Sequence, residues 1–536
     1  MMDRKKAYQK GPVFWVSAVV ILLLVVWGAV VPDSFASVAN SVYSFTTNAF
    51  GWFYLLSVVF FVLFCMYLAI SKYGKIRLGK DGERPEYPFF TWIGMLFSAG
   101  FGVGLVFWGV AEPMTHFANP PAGFGVEGET EQAAKLAMRY SFFHWGVHQW
   151  SVFTVVGLVM AYFQYRKDRK SLISETISTG TPDKRKKSWR GIINILAVIA
   201  TVMGVATSLG FGILQINGGL NYMYDLPQNA TIQIVITLIL LVLYMTSSTT
   251  GLNKGIKYLS NLNLALALGL MLFVLFLGPT VFILESFTVA AGGYIQKFIE
   301  MSFYMTPYEG GTWVKDWTVF YWAWVIAWSP FIGSFVARVS RGRSIREMIF
   351  GVLIVPPFIA MVWIAVFGGA AFHLDLFQGT AIADAVNEDV TSALFVTLEE
   401  FPLTTILSTL SIFLICIFLV TSADSATFVL GMMTSDGDLN PTLFSKLVWG
   451  TLIAAISAVL IISSGLQGLQ TASLVSALPF TVILIIMCFN LFKSLRRDAK
   501  SYEVEKERNL LNKLQSTSNK QKTKISRQSN DDTPHR

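Results

Sequence analysis

Twelve apolar runs divide this sequence, near residues 13–32, 51–71, 88–110, 138–164, 192–214, 230–248, 258–284, 317–337, 347–372, 404–431, 444–464 and 470–492. A helix needs about 20 predominantly apolar residues to cross a hydrocarbon layer of about 30 Å. No water reaches peptide groups at that depth, so each run must satisfy its own backbone hydrogen bonds, which a helix does within one segment. The sequence therefore predicts an all-α polytopic membrane protein with 12 transmembrane helices. A charged fraction of 14% fits this reading, since soluble domains carry about 25%. Cys65, Cys416 and Cys488 each lie inside an apolar run, which argues against a disulfide framework or a CxxC metal site.

The net charge of +8 could suggest nucleic acid, but its placement argues otherwise. Lysine and arginine concentrate in alternate connections, with 9 at 165–190 and 12 from residue 493 onward. This positive-inside pattern predicts an even number of spans and both termini in the cytoplasm. The opening MMDRKK, apolar stretch and SFASVA resemble a secretory signal, yet the run is longer than a typical signal core and its removal would leave eleven spans. It is read as an uncleaved first helix. The basic tail, 493–536, predicts contact with anionic lipid, as a sensor or as an anchor.

Polar and aromatic residues mark the chemistry. The third run carries Gly100, Gly102 and Gly104 in FSAGFGVGLVFWGVAEP, a spacing that weakens a helix and permits close backbone approach. The eighth is interrupted by Ser329-Pro330. Two broken helices five spans apart predict a binding site near the bilayer midplane between repeated halves, 88–284 (spans three to seven) and 317–492 (spans eight to twelve). Residues 1–12 and 13–87 then form a cytoplasmic N-terminus and two peripheral helices. The amphipathic 285–303 is too polar to span and is placed along the outer interface or against a neighbouring subunit. In the eighth run Trp324, Trp328 and Phe331 fall on one helical face, and in the fourth Trp145, Trp150 and Phe153 share a sector. Such faces suit an organic cation, because ring quadrupoles attract positive charge. His144 and His148 have the i, i+4 spacing of helical zinc ligands but lack the third ligand of an HExxH motif, so packing is the better reading. Thr201, Thr207 and Ser208 in the fifth run, and Thr421, Ser422, Asp424 and Ser425 in the tenth, offer hard oxygens for an alkali cation or hydrogen bonds to their own helices. Asp424, ionisable within a span, either serves an ion or pins neighbouring helices. The acidic stretch 373–403 attracts cations or is a solvated loop.

Taken in order, FSAGFGVGLVFWGVAEP, FFHWGVHQW, FYWAWVIAWSPFIGSFVARVSRGRSIRE and VTSADSATFVLG resemble the betaine/choline/carnitine transporter family, most of all its glycine betaine importers from Gram-positive bacteria. The resemblance covers about 10–492 and leaves the tail outside. It implies a leucine-transporter-type five-helix inverted repeat, a homotrimer, and sodium-coupled import of quaternary-ammonium osmolytes in the response to osmotic stress, with no catalytic activity and no cofactor. It places the trimethylammonium group among Trp145, Trp150 and Phe153 and among Trp324, Val325 and Trp328, beside the glycine stretch. It places one sodium between Ser98, Phe101, the Phe418 carbonyl, Thr421 and Ser422, and a second near Thr201, Thr207, Ser208 and Phe331. Arg338, Arg341 and Arg343 would belong to an internal gate.

Three positions depart from the family pattern: Phe153 where many members carry tyrosine, Val325 where most carry a second adjacent tryptophan, and Phe101 where methionine is usual. A lost ring removes about 0.5–2 kcal/mol of cation binding, roughly 2- to 30-fold in affinity. Choline or carnitine carriage, by symport or exchange, is therefore the rival reading. Gly104 replaces the acidic residue of proton-coupled choline members, which favours sodium. A membrane enzyme would need an acidic cluster such as DDxxD and an ATP-driven pump a GxxxxGK[ST] loop; the sequence holds neither. A channel would not concentrate its solute.

Overall fold

The computed structural model describes residues 11–100, 102–177, 184–250, 253–308 and 310–531. Among them the chain is helical, with one isolated bridge between Arg77 and Ser344. The helices are α1 (Pro12–Val30), α2 (Pro32–Ile70), α3 (Phe89–Gly100), α4 (Val103–Ala118), α5 (Glu131–Trp145), α6 (Val147–Ala161), α7 (Ile173–Ile177), α8 (Lys184–Tyr224) and α9 (Ala230–Thr250). They continue as α10 (Asn253–Leu277), α11 (Thr280–Gln296), α12 (Phe298–Ser302), α13 (Phe320–Val339), α14 (Ile345–His373), α15 (Ile382–Glu388), α16 (Ala393–Glu399), α17 (Thr404–Thr434) and α18 (Leu443–Asp531).

Ten helical stretches among the described residues are long and apolar enough to cross a membrane. Two local features separate that number from the twelve apolar runs. The third run is divided between α3 and α4, 12 and 16 residues long. The last two runs share α18, in which Gly465 leaves helical geometry at φ 57° and ψ −138°. Beyond the membrane α18 continues to Asp531, over a stretch with no glycine or proline after Pro479.

Burial separates inner from outer helices. In the most apolar windows of α1, α9 and α10 only 22% of residues are buried, against 94% for Glu131–Arg166 and 83% for Lys315–Val339. The outer helices turn Leu23, Val242 and Phe276 outward, as a lipid solvent permits. At the centre α13 packs on α6, α8 and α18. Gly204 of α8 lets the backbones meet: a Cβ there would lie 2.7 Å from the amide nitrogen of Trp328.

Two breaks differ from expectation. α13 runs through Ser329-Pro330 without interruption. Proline removes the amide that would bond the carbonyl four residues earlier, and the Ser329 hydroxyl donates to that Ile326 carbonyl at 2.7 Å instead. Conversely, the fourth run is broken at Gly146 (φ −88°, ψ −147°), where the freed Val147 amide donates to the Tyr294 hydroxyl of α11 at 3.1 Å. A side chain at Gly146 would collide with the Phe142 carbonyl and with Tyr294.

The acidic 373–403 segment folds into short helices. Asp375 accepts from the amides of Ile382 and Ala383, and Asp389 from the amide of Thr391, so these two acids work as local caps.

Candidate functional site

The α13 face carries a ladder of rings at helical spacing. Phe320 and Trp324 stack at 6.0 Å and 3°, Trp324 and Trp328 at 6.1 Å and 13°, and Phe331 follows Trp328 at 6.0 Å and 41°. The sequence places Trp324, Trp328 and Phe331 on this face; Phe320, one turn earlier, extends it. Trp145, the last residue of α5, meets Trp324 edge to face at 6.1 Å. Phe153 of α6 meets Trp328 in the same way at 5.9 Å and touches Trp150 at 5.1 Å. Phe211 of α8 closes on Trp324 from another side at 5.3 Å. Val325, next to Trp324, is buried, and Trp322 packs away from the ladder against His148 and Phe143.

The glycine stretch lies against these rings. α3 ends at Gly100, Gly102 is extended, and α4 begins at Val103; Phe101 lies outside the described residues. A Cβ on Gly104 would fall 2.4 Å from Cη2 of Trp324 and 3.5 Å from Cη2 of Trp145, while one on Gly102 would stand 3.9 Å from Cη2 of Trp328. At Gly104 the rings occupy the space that a side chain would fill.

A cavity of about 1040 Å³ reaches this group at Trp328 and Gly102 and extends to Arg338 and Arg341. From Trp328 to Arg338 that is roughly 15 Å of helix. Trp145, Trp150, Phe153, Trp324 and Val325 are packed behind Trp328, outside the cavity lining. Ser98, Phe418, Thr421 and Ser422 line it together, as does Asp424. Thr421 donates to the carbonyls of Ile417 and Phe418 at 2.9 and 3.2 Å. Asp424 accepts from Ser247 of α9 at 2.8 Å, which ties α9 to α17.

The other four oxygen and ring candidates separate. Ser208 and Phe331 line the cavity, and Ser208 also receives the indole N–H of Trp324 at 3.3 Å. Thr207 instead bonds the Leu469 carbonyl and Ser473 of α18, and Thr201 its own helix and Met433.

At the far end the arginine loop is latched to residues 76–87. The Gly342 amide donates to the Leu78 carbonyl and the Leu78 amide to the Arg343 carbonyl, both at 2.8 Å. Gly342 has φ +78°, and a side chain there would strike the Arg84 carbonyl. Arg343 lies over Trp92 at 4.6 Å, and Arg341 bonds Glu83 at 2.7 Å. The Lys80 amide, with Arg341, holds the Glu83 carboxyl below its usual range.

Behind Trp145 sits a buried polar cluster that the sequence reading passed over. Glu112 receives the indole N–H of Trp145 at 2.8 Å and the Tyr321 hydroxyl at 2.5 Å on Oε2, and Nδ1 of His144 lies 2.6 Å from Oε1. His116 is 3.4 Å away. The break at Gly146 explains why the His144 and His148 pair does not form: His148 turns to Ser302 at 2.8 Å. Donor atoms of Glu112, His116 and His144 lie within 4.8 Å of one another, close enough to consider a metal. Ligands about 2.0–2.1 Å from a tetrahedral ion stand roughly 3.3 Å apart, whereas 2.6 Å between Glu112 and His144 is a hydrogen bond. The sequence signal lay in AEPMTH, an acidic residue two positions past the end of the third apolar run.

Residues 12–500 match the family model described as BCCT, betaine/carnitine/choline family transporter. The chain belongs to this family. Among its relatives, the ectoine/hydroxyectoine transporter of Virgibacillus pantothenticus is 57% identical over 94% of this chain and 100% of its own length. The glycine betaine transporter OpuD of Bacillus subtilis is 48% identical over 92% and 96%, and a glycine betaine transporter of Acinetobacter baylyi 39% over 91% and 74%. This BCCT protein is a multi-pass membrane transporter and not an enzyme.

Proposed function

We propose that this transporter imports glycine betaine by sodium-coupled symport as an osmoprotectant. The observation that carries the reading is the ring group of Trp145, Phe153, Trp324 and Trp328 seated on side-chain-free Gly102 and Gly104 at the head of the cavity. A cation is attracted within about 6 Å of a ring centroid. Stacked rings 6.1 Å apart leave no room for a trimethylammonium group between them, so it docks on the cavity side of Trp328. Ser98, Phe418, Thr421 and Ser422, which line the same cavity, offer hydroxyl and carbonyl oxygens for sodium, the coupling ion. The fold reading that goes with this is twelve crossings, with α3–α4 counted as one and α18 turning at Gly465, arranged as an inverted repeat. Both termini then face the cytoplasm, the protein assembles as a homotrimer, and the basic tail meets anionic lipid.

Two sodium ions entering with one zwitterion move two charges. At 100 mV this supplies about 4.6 kcal/mol, and a tenfold sodium gradient adds roughly 1.4 per ion. The total, about 7.4 kcal/mol, sustains accumulation on the order of 10⁵-fold, which an osmoprotectant importer requires.

A second reading, ectoine as the preferred solute, is favoured by the 57% identical relative. The test is uptake into proteoliposomes with sodium as the sole driving ion, competed by unlabelled glycine betaine, ectoine, choline and carnitine. Concentrative glycine betaine uptake supports the first reading, and stronger competition by ectoine the second. Uptake indifferent to sodium overturns the coupling.

A further inference from the structure

Asn263 of α10 and Asp424 of α17 line the same cavity, and their two helices pack against each other. Asn263 is 2% exposed, and its Oδ1 has no hydrogen-bond partner. A buried acceptor without a donor costs stability, so this oxygen on a cavity lining calls for a ligand. Asp424 is 5% exposed, and its Oδ2 accepts from the Ser247 hydroxyl of α9 at 2.8 Å. Among the described residues no lysine, arginine or histidine forms an ion pair with it. Lys446, on the same lining, donates instead to the Ser248 carbonyl at 3.2 Å. The other carboxylate of the lining, Glu86, belongs to the arginine end, where its amide donates to the Arg341 carbonyl.

We propose that Asp424 and Asn263 form a second sodium site. This rests on the reading of sodium as the coupling ion. An amide oxygen and a carboxylate are hard ligands, the kind an alkali cation takes. Asp424 follows Thr421 by about 4.5 Å of helical rise, so an ion here stands near the one assigned to Ser98, Phe418, Thr421 and Ser422. That first set consists of neutral oxygens, which do nothing to offset the repulsion between two cations; the Asp424 carboxylate brings the negative charge that a second ion needs. The hydroxyls expected to hold a second sodium are engaged elsewhere, Thr201 with its own helix and Thr207 with Leu469 and Ser473.

The experiment titrates sodium alone into the purified full-length protein by calorimetry, and follows sodium and glycine betaine fluxes together in proteoliposomes. Three proteins are compared: wild type, Asp424→Asn and Ser247→Ala. Asparagine still accepts from Ser247 but has no charge, whereas Ser247→Ala cuts the tie to α9 and keeps the carboxylate. Asp424→Asn is expected to weaken sodium binding at least about tenfold and to lower the number of sodium ions moved per solute from two to one, with a smaller effect from Ser247→Ala. Unchanged sodium binding in Asp424→Asn overturns the proposal, as does an equal loss in Ser247→Ala, which would make Asp424 a pin between helices. A proton shared by the two oxygens is the competing occupant; a loss confined to the pH dependence, with sodium binding intact, also overturns the proposal. Should Asp424→Asn fail to fold, Asn263→Ala removes the amide oxygen alone: severalfold weaker sodium binding supports the site and unchanged binding overturns it. If wild-type uptake is indifferent to sodium while sodium binding is lost in Asp424→Asn, the coupling reading fails and the site stands.

Discussion

Gly104→Ala is expected to cripple solute binding while leaving the protein folded. The added Cβ would sit 2.4 Å from Cη2 and 3.0 Å from Cζ2 of Trp324. Carbon atoms rest at about 3.5–4.0 Å, so the indole must retreat by roughly 1.1–1.6 Å. Trp324 has nowhere to go: Phe320 and Trp328 stack on its two faces, and Phe211 and Trp145 abut it at 5.3 and 6.1 Å. Overpacking of this kind costs about 1–3 kcal/mol, only partly offset by the gain of up to about 1 kcal/mol from alanine in a helix. If that cost falls on the ring arrangement, affinity drops about 5- to 150-fold. Gly269→Ala on the outer helix α10 is the control, because nothing lies within 4 Å of where its Cβ would stand and it is outside the cavity lining. The assay is solute affinity by fluorescence titration on both variants, with thermal unfolding alongside to confirm folding. Equal affinity in the two would refute the argument that glycine is there to admit Trp324.

Trp328→Leu should weaken solute binding about 2- to 30-fold, since each ring contributes about 0.5–2 kcal/mol, whereas Trp52→Leu, at an exposed outer position, should leave it unchanged; equal effects would reduce the ladder to packing. Replacing Thr421 and Ser422 together by alanine should raise the sodium concentration for half-maximal uptake, and an unchanged sodium dependence would remove them from the ion site. The Glu83 carboxyl is held low, so its contribution to the latch is complete above the ordinary carboxylate range and disappears as pH falls through the lower folded value. Glu83→Gln should consequently reproduce at neutral pH what acid does to the wild type, read as faster hydrogen exchange at the Leu78 and Gly342 amides; unaltered exchange would show that the backbone bonds hold the latch alone.

Features set by local spacing were legible in the sequence: the apolar runs, the faces of Trp324 and Trp328, and the unwinding at Gly102. What escaped it depends on partners far along the chain. The break at Gly146 is held open by Tyr294, 148 positions away from it in sequence, and a lone glycine in an apolar run gives no hint of that. Ser329-Pro330 looks like a break until a serine rotamer supplies the missing donor. Glu112 was visible, but its meaning required Trp145, Tyr321 and His144 to be seen converging on it. The hydroxyls of Thr201 and Thr207 show the reverse limit, because residues seven or fewer apart on one helix still answer to different neighbours.

The Ser329 hydroxyl deserves one more consequence. It closes the gap left by Pro330 at Ile326, the point on α13 that lies between the rungs Trp324 and Trp328. Everywhere else along that stretch, bending the helix means tearing an amide hydrogen bond. Here it means turning one side chain about a single torsion. The two rings are thus threaded on a rod whose weakest joint falls between them, and a flexing of that joint would tilt one ring against the other like a hinged pair of plates.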